Sequence, residues 1–261
     1  MVEGFETRGW VRFPFDPVLA DWVAHARPRA RAALDDPALA HWHDCDGTWF
    51  VGVDALDNDA QGRVGGSDPL SGQAMRFIAD HLGMLPLHRA QVSVLWPGYP
   101  RPRRGEGAAA FRYRQTRDAA HVDGLKPTGP DRRRKVQECH AWILGLPLTE
   151  AGPDAAPLVV WEGSHRIIRA ALAAALADHP RAGWADVDVT DAYQAARREV
   201  FDTCRRVPLP ARPGEAYVIH RHALHGVAPW AASADAGPDG RMIAYFRPEL
   251  PGGVVQWIDP S

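Results

Sequence analysis

The chain has 261 residues, with 30 Lys and Arg against 32 Asp and Glu, so its formal net charge is −2. That balance argues against a nucleic-acid partner bound through a basic surface, and a hydrophobic fraction of 46% argues against a disordered chain. No apolar run approaches the roughly 20 residues of a membrane span. The N-terminus is acidic where a secretory signal would be basic, and the three cysteines form no zinc or disulfide pattern. We therefore expect a cytoplasmic protein with no membrane partner.

The first third of the sequence has mainly helical patterns. Asp16 followed by a proline is a good N-cap and first helical position, and it predicts a helix over residues 16–34. Asp68 followed by a proline repeats the signal and predicts a second helix that closes at Gly83. A strand over residues 48–53 is predicted between them. We expect residues of about 1–87 to form a helical elaboration of the domain.

Short strand-like runs separated by Pro and Gly dominate the sequence from about residue 88 onward. They span residues 90–96, 109–115, 137–146, 157–161, 205–209, 215–219, 224–228, 241–246 and 254–258. Two helical patterns, which start near His165 and near Asp191, interrupt the series. Many short strands without a helix after each one indicate a sandwich or barrel rather than a doubly wound fold. The sequence thus predicts a single domain over 1–261 that is α+β, mainly β with flanking helices. Its core over about 88–258 would be a jelly-roll barrel with a helical insertion.

His121-Val122-Asp123 is the first candidate site for chemistry. In an extended segment the side chains of residues i and i+2 lie on the same face, so an imidazole and a carboxylate can converge on one divalent metal. A third ligand must come from elsewhere, and the cluster of His220, His222 and His225 is the best source. Two histidines and one carboxylate, with open positions opposite them, are the ligand set of non-haem Fe(II) oxygenases.

Two arginines beyond this cluster are candidates for binding a carboxylate group of a small molecule. A stretch rich in small residues, 229–240, separates His225 from the next predicted strand, which opens with Arg241. A guanidinium there can bind a carboxylate through two parallel hydrogen bonds. Arg247 lies six residues further, so on a strand it shares the face of Arg241.

Three stretches resemble the phytanoyl-CoA dioxygenase-like family of Fe(II)- and 2-oxoglutarate-dependent oxygenases. The first is AHVDG at residues 120–124, and the third is His225-Gly226 with Arg241 beyond it. The second lies within residues 141–166 and contains APLVVWEGSHR, which is similar to the family's GPLxxxPGSH signature. The resemblance covers about residues 88–247, and residues 1–87 carry no motif of the family. It implies a double-stranded β-helix, which is a jelly-roll, cupin-like barrel.

The resemblance also implies Fe(II) as cofactor and 2-oxoglutarate and O₂ as cosubstrates, acting on a small-molecule substrate. By this resemblance His121, Asp123 and His225 would be the metal ligands, with His222 as the alternative to His225. The carboxylate of Asp123 is typical of the hydroxylases, because related halogenases have a small residue there.

For the cosubstrate, the resemblance assigns the distal carboxylate of 2-oxoglutarate to Arg241. Many such oxygenases have Ser or Thr two residues after this arginine, where this sequence has Ile243. Because of that difference, Arg247 stays a second candidate for the same role.

Arg112 and Arg114 alternate on the predicted strand that leads toward His121. On a strand they would share one face, and if that face lined the pocket, the two buried cations would need anions to compensate them. The pattern therefore predicts a substrate that carries a carboxylate or phosphate.

Two other functions fit parts of the pattern. A cupin-like metal enzyme that does not use 2-oxoglutarate could have the same barrel, and so could a catalytically silent barrel that binds a metal or ligand. Arg241 separates the first of these from the oxygenase, because a 2-oxoglutarate enzyme needs a cation for the distal carboxylate.

Overall fold

The structure, a computed structural model, describes residues 2–259 and combines helices with antiparallel sheets. The helices are α1 (Val2–Arg8), α2 (Pro17–Leu34), α3 (Gln73–His81), α4 (Ala108–Thr116), α5 (Ser164–Leu176), α6 (Thr190–Thr203) and α7 (Gly253–Ile258). Two 3-10 helices cover Pro37–Trp42 and Arg181–Asp186. Among the described residues, no helix is both long and apolar enough to cross a membrane.

The strands form two larger sheets and a hairpin, all with antiparallel pairing. They are β1 (Trp10–Phe13), β2 (His43–Asp44), β3 (Trp49–Phe50), β4 (Gln91–Leu95), β5 (Leu125–Thr128), β6 (Arg133–Val136), β7 (Trp142–Pro147), β8 (Leu158–Trp161), β9 (Arg206–Leu209), β10 (Ala216–His220), β11 (His225–Val227) and β12 (Arg241–Phe246). Seven strands are ordered β1-β10-β7-β12-β4-β3-β2, three are ordered β11-β8-β9, and β5 pairs with β6.

Alternation along β12 separates two cores. Met242 and Ala244 belong to the core that the seven-stranded sheet shares with α2 and α3. Ile243 and Tyr245 point to the other side and pack with side chains of the three-stranded sheet such as Leu158. The two sheets therefore face each other, with helices outside, which confirms the mixed helical and antiparallel class. Within the described chain both strand orders are open, so the strands do not close into a barrel by hydrogen bonds.

One buried carboxylate fixes the starts of two N-terminal helices. Asp16 Oδ1 accepts a hydrogen bond from Val18 N (3.1 Å) at the start of α2, as its position before a proline predicts. Its Oδ2 accepts from Gln73 N (2.8 Å) at the start of α3. The predicted second helix is thus present, but it begins at Gln73 and not at the Asp68-Pro69 pair.

The N-terminal 87 residues also add three strands to the seven-stranded sheet. β1 pairs with β10, and β3 pairs with both β2 and β4. The predicted strand over 48–53 is present only as Trp49–Phe50. This segment is therefore helical only in part, and its strands extend the sheet at both edges.

Two predicted strands are helices. Residues 109–115 lie in α4, because the alanines at 108–110 favour a helix although Phe111 and Tyr113 suggested a strand. Residues 254–258 lie in α7, where Trp257 is fully buried. Its packing against α5 and the 3-10 helix Arg181–Asp186 outweighs the β preference of the neighbouring valines. The predicted helical insertion is confirmed, since α5 and α6 lie between β8 and β9.

Candidate metal centre

His121 and His225 lie directly opposite each other on neighbouring extended segments. The N–H of His121 donates to the carbonyl of His225 (2.8 Å), and the N–H of His225 donates to the carbonyl of His121 (3.0 Å). Asp118 holds the segment before His121 in place, because its carboxylate accepts two hydrogen bonds from Arg206 (2.7 and 2.9 Å). The separation of the two imidazoles is therefore set by the main chain, and their ring centroids are 4.7 Å apart.

Each of these segments contains a glycine where no side chain fits. A Cβ atom on Gly226 would lie 2.2 Å from the carbonyl oxygen of Asp118. A Cβ on Gly124, whose φ is +88°, would lie 2.1 Å from the carbonyl oxygen of Glu138. Both distances are below van der Waals contact, so the glycines after Asp123 and His225 are required by close approach of the backbone.

The side chains of His121, Asp123 and His225 converge. Asp123 Oδ1 lies 3.3 Å from His121 Nε2 and 3.8 Å from His225 Nε2. One ligand atom from each of the three residues lies within 4.8 Å of the others, and among the described residues no other group of His, Cys, Asp and Glu meets this criterion. The arrangement predicted from the HxD pattern and a distal histidine is therefore present.

Hydrogen bonds to the backbone orient both imidazoles. His121 Nδ1 lies 3.0 Å from the carbonyl oxygen of Ala119, and His225 Nδ1 lies 3.0 Å from that of Ala223. A carbonyl can only accept, so Nδ1 carries the proton in both rings and Nε2 presents its lone pair. This tautomer is the one that a metal-binding histidine needs.

The protonation states of Asp123 and His225 also suit a metal. Burial would raise the pKa of Asp123, but the Arg247 guanidinium and the two histidines hold it well below its usual range. Burial and the neighbouring His121 lower the pKa of His225 to about 4, although Asp123 opposes the shift. At neutral pH the site therefore offers an ionised carboxylate and a neutral imidazole.

Arg247 contacts the site from the end of β12. Its Nη1 lies 3.1 Å from Asp123 Oδ2, and its side chain is 18% exposed. The backbone on both sides is anchored, since Arg247 N donates to His88 Nε2 (2.8 Å) and its carbonyl accepts from His140 Nδ1 (2.7 Å). Oδ2 of Asp123 thus binds the Arg247 guanidinium, and Oδ1 remains for the point on which the three side chains converge.

A cavity of about 410 Å³ lies between the two sheets and includes the three converging residues in its wall. Trp42, Trp49 and Tyr99 form an aromatic part of the wall. Lys126 and Glu138 also line it and pair with each other at 2.7 Å. The cavity is therefore large enough for a small organic molecule beside the metal-binding residues.

Arg241 lies on the cavity side of β12 but is not itself part of the cavity wall. It is 6% exposed, and its Nη1 has no hydrogen-bond partner among the described residues. Its guanidinium is next to the phenols of Tyr217 and Tyr245, which are joined by a hydrogen bond of 3.0 Å. Tyr245 does line the cavity. A buried guanidinium with an unpaired nitrogen thus lies one side chain away from the cavity.

The two tyrosines were not recognised in the sequence. Tyr245 could have been found, because it is four residues after Arg241 and shares its face of the strand. Tyr217 lies on β10, and only the order of strands in the sheet brings it to Tyr245. Their hydroxyls stand beside the arginine although the position expected for Ser or Thr holds Ile243.

The prediction for Arg112 and Arg114 is wrong. Both lie on helix α4, where two residues are separated by roughly 200°, so they do not share a face. Arg114 is buried and pairs with Glu106 at 2.5 Å, whereas Arg112 is exposed. Neither is part of the cavity wall. The charge of Arg114 is balanced within the protein, so this pair gives no reason for an anionic substrate.

His220 and His222 do not join the metal-binding residues. His222 is fully buried and packs edge-on against Trp257, with ring centroids 4.2 Å apart. His220 lies on the helix side of the seven-stranded sheet, while the preceding Ile219 lines the cavity. The favoured choice of His225 over His222 therefore agrees with the geometry.

We expect Gly226→Ala to destabilise the protein and weaken its metal binding. The new Cβ must displace the carbonyl of Asp118, and overpacking of this kind costs about 1–3 kcal/mol. Urea unfolding would measure the loss, and metal titration would show the displaced ligands. Gly237→Ala is the matched control, because nothing lies within 4 Å of its Cβ position. Equal stability and metal affinity in the two variants would contradict the close-approach argument.

No protein-family model matches the sequence, and no curated protein sequence matches it. Solved structures with a similar chain path include enzymes described as non-haem. The non-haem α-ketoglutarate-dependent carbocyclase SnoK from nogalamycin biosynthesis is 16% identical, with a TM-score of 0.46, 98% of this chain covered and 87% of that one. EctD from S. alaskensis with 2-oxoglutarate and 5-hydroxyectoine is 17% identical, with a TM-score of 0.46 and coverages of 100% and 82%. A nickel complex of the non-haem monooxygenase ThoJ is 16% identical, with a TM-score of 0.43 and coverages of 94% and 75%.

Proposed function

We propose that this protein is an Fe(II)- and 2-oxoglutarate-dependent oxygenase that hydroxylates a small organic substrate in the cavity between its two sheets. The observation that carries the proposal is the convergence of His121, Asp123 and His225 at the wall of that cavity. We further propose that the facing sheets are a double-stranded β-helix of the jelly-roll type, that residues 1–261 form one domain, and that the protein acts in the cytoplasm.

The residues present fit Fe(II) on the chemistry of the donor set. Two neutral imidazole nitrogens and one carboxylate oxygen, grouped on one side of a common point, are the ligands of non-haem Fe(II) oxygenases. The Nδ1 hydrogen bonds of His121 and His225 and the contact of Arg247 with Asp123 hold all three in this arrangement. When bound, Fe(II) with 2-oxoglutarate and O₂ supplies the oxidation of a C–H bond to C–OH, and the cosubstrate leaves as succinate and CO₂.

We assign the distal carboxylate of the cosubstrate to Arg241. Its buried Nη1 has no partner among the described residues, and an unpaired buried donor is costly unless a ligand satisfies it. The Tyr217 hydroxyl donates to that of Tyr245, which leaves the Tyr245 hydroxyl free to donate to the same carboxylate. Arg247 already contacts Asp123, and its Cα lies roughly 20 Å along the strand from that of Arg241. We therefore assign Arg247 to holding Asp123 in its ionised form.

The cavity wall supports a substrate with a flat apolar part. Trp42, Trp49 and Tyr99 offer aromatic surface, and burial raises the pKa of Tyr99 to about 12, so it is neutral there. Arg134 lines the cavity and pairs with no carboxylate among the described residues. An anionic group on the substrate is thus still part of the proposal, but it depends on Arg134 and not on Arg112 or Arg114.

Anaerobic titration of the protein with Fe(II) and then 2-oxoglutarate tests the proposal directly. We expect a visible charge-transfer band that appears only when both are present and saturates with one equivalent of each. Metal binding without any response to 2-oxoglutarate would instead support the cupin-like alternative. Failure to bind Fe(II) would contradict the metal centre itself.

Arg241→Gln should raise the 2-oxoglutarate concentration needed for half-saturation by about 10- to 100-fold, because hydrogen bonds to charged groups contribute about 1.5–3 kcal/mol. Fe(II) affinity should stay nearly the same, since no metal ligand is removed. Titration of the charge-transfer band measures both quantities. Arg112→Gln is the matched control, because it removes an exposed charge outside the cavity wall. A large effect in Arg247→Gln with none in Arg241→Gln would transfer the carboxylate-binding role to Arg247.

A further inference from the structure

A second cavity, of about 600 Å³, lies on the helix side of the seven-stranded sheet. Its position follows from alternation along β10: Ile219 lines the metal cavity, and the next residue, His220, lines this one. Among the described residues none lines both cavities. The second cavity is therefore a separate space from the one beside the candidate metal centre.

Three arginines line this cavity, the exposed Arg166 and Arg169 and the half-buried Arg221, and each donates to a backbone carbonyl. The guanidinium donors and their carbonyl acceptors are Arg166 Nη2 with Glu6 (2.9 Å), Arg169 Nε with Ile258 (2.8 Å) and Arg221 Nε with Trp257 (3.0 Å). Other nitrogens of each guanidinium are left free by these bonds. The three cations are thus anchored before any ligand arrives, and their ordering costs little on binding.

The arginines of the cavity have no compensating carboxylate. Within residues 2–259 none of the three forms an ion pair, and the one acidic residue in the wall is the exposed Glu6. Burial and the like charge of Arg169 lower the pKa of Arg221 to about 10. Two neighbouring cations that repel each other in a partly buried site are stabilised by any anion placed between them.

His220 adds a neutral hydrogen-bond donor. Its Nδ1 accepts a hydrogen bond from the backbone N–H of His222 (3.1 Å), so the ring proton must be on Nε2. Burial, together with the neighbouring His165 and Arg221, holds the pKa of His220 well below its usual range. The imidazole therefore donates an N–H at neutral pH without adding a charge.

Other residues of the cavity wall are apolar. Phe5, Phe77 and Leu82 are part of its wall, and the rings of Phe5 and Phe77 pack edge-on with centroids 5.5 Å apart. We propose that this cavity binds an organic oxyanion, a carboxylate or phosphate whose apolar body packs on Phe5 and Phe77 while its oxygens bind Arg166, Arg169 and Arg221. Of the histidines near residue 220, His220 would thus serve this second ligand site, whereas His225 belongs to the candidate metal centre.

Calorimetric titration of the full chain with phenyl phosphate and with benzoate tests the proposal, and benzyl alcohol is the neutral probe. We expect saturable one-site binding of at least one of the two anions and none of the alcohol. Which anion binds more tightly decides between phosphate and carboxylate. Arg169→Gln and Arg166→Gln should each lower the affinity for the anion at least about tenfold, as expected for loss of a charge-assisted hydrogen bond. The Arg166 side chain donates only to the carbonyl of the exposed Glu6. Its variant therefore remains informative if Arg169→Gln is unstable.

Three variants outside the cavity complete the design. Arg198→Gln removes an exposed arginine of α6 that forms no ion pair within the described residues, and it should bind the anion as the unchanged protein does. Asp123→Ala and Arg241→Gln should also bind it normally, because they alter only the metal centre. Absence of saturable anion binding would overturn the proposal. So would equal affinity in the Arg166 and Arg169 variants and the unchanged protein, or binding lost in Arg241→Gln alone, which would place the anion at the metal centre.

Discussion

Fe(II) binding should weaken by at least about 100-fold in Asp123→Ala, and 2-oxoglutarate turnover should fall to background. Asp123 is the one anionic group among the three converging residues, and loss of an outer hydrogen-bond partner alone costs about 10- to 100-fold in metal affinity. Metal titration monitored by calorimetry gives the affinity, and succinate formation gives the turnover.

The control for this experiment is Asp131→Ala, which removes an exposed carboxylate from the turn between β5 and β6. It should bind Fe(II) as the unchanged protein does. The thermal stability of both variants should be measured alongside, because Asp123→Ala leaves Nη1 of Arg247 without its partner. An unaltered Fe(II) affinity in a folded Asp123→Ala protein would refute the metal centre.

Glu106→Gln should lower the free energy of unfolding by about 1.5–3 kcal/mol, the usual contribution of a hydrogen bond to a charged group. The side chains of Arg114 and Glu106 are 9% and 7% exposed, so the substitution leaves a buried guanidinium without its counter-charge. Glu106 Oε2 also accepts from the backbone N–H of Arg103 (3.1 Å), which fixes the turn before α4. Urea unfolding measures the loss, and the exposed Glu199→Gln on α6 is the matched control.

The same pair predicts a pH dependence. Burial would raise the pKa of Glu106, but the hydrogen bond from Arg114 lowers it below its usual range. A carboxyl whose pKa is lower in the folded than in the unfolded chain stabilises the fold above its unfolded pKa of about 4.3. That contribution is lost as the pH falls through the folded pKa. The unchanged protein should therefore lose this stability in acid, whereas Glu106→Gln should lack this part of the dependence.

The convergence of His121, Asp123 and His225 could be predicted because its signals are local. Alternation placed His121 and Asp123 on one face, and the glycines after Asp123 and His225 mark places where backbones meet. The same period of two along β12 puts Arg241 and Tyr245 on one face of the strand. Each of these inferences depends only on residues that are close in sequence and on the alternation of side chains along one strand.

The remaining features depend on contacts between distant parts of the chain. β1 is a strand because it pairs with β10, about two hundred residues away, and nothing in its four residues shows this. α4 was mistaken for a strand because aromatic residues follow its alanines, and with that error the burial of Arg114 against Glu106 could not be foreseen. Tyr217 reaches Arg241 only through the strand order of the sheet.

The backbone bridge between His121 and His225 sets the spacing of these side chains independently of the shape of the cavity wall. The spacing of the three side chains depends on two main-chain hydrogen bonds and on two glycines against which the backbone packs closely. The aromatic wall of the cavity comes from Trp42, Trp49 and Tyr99, in segments far from the ligands along the chain. Substitutions in that wall alter which molecules fit without moving the metal-binding atoms. Under the proposed function, the molecule accepted can therefore change while the reaction performed on it stays the same.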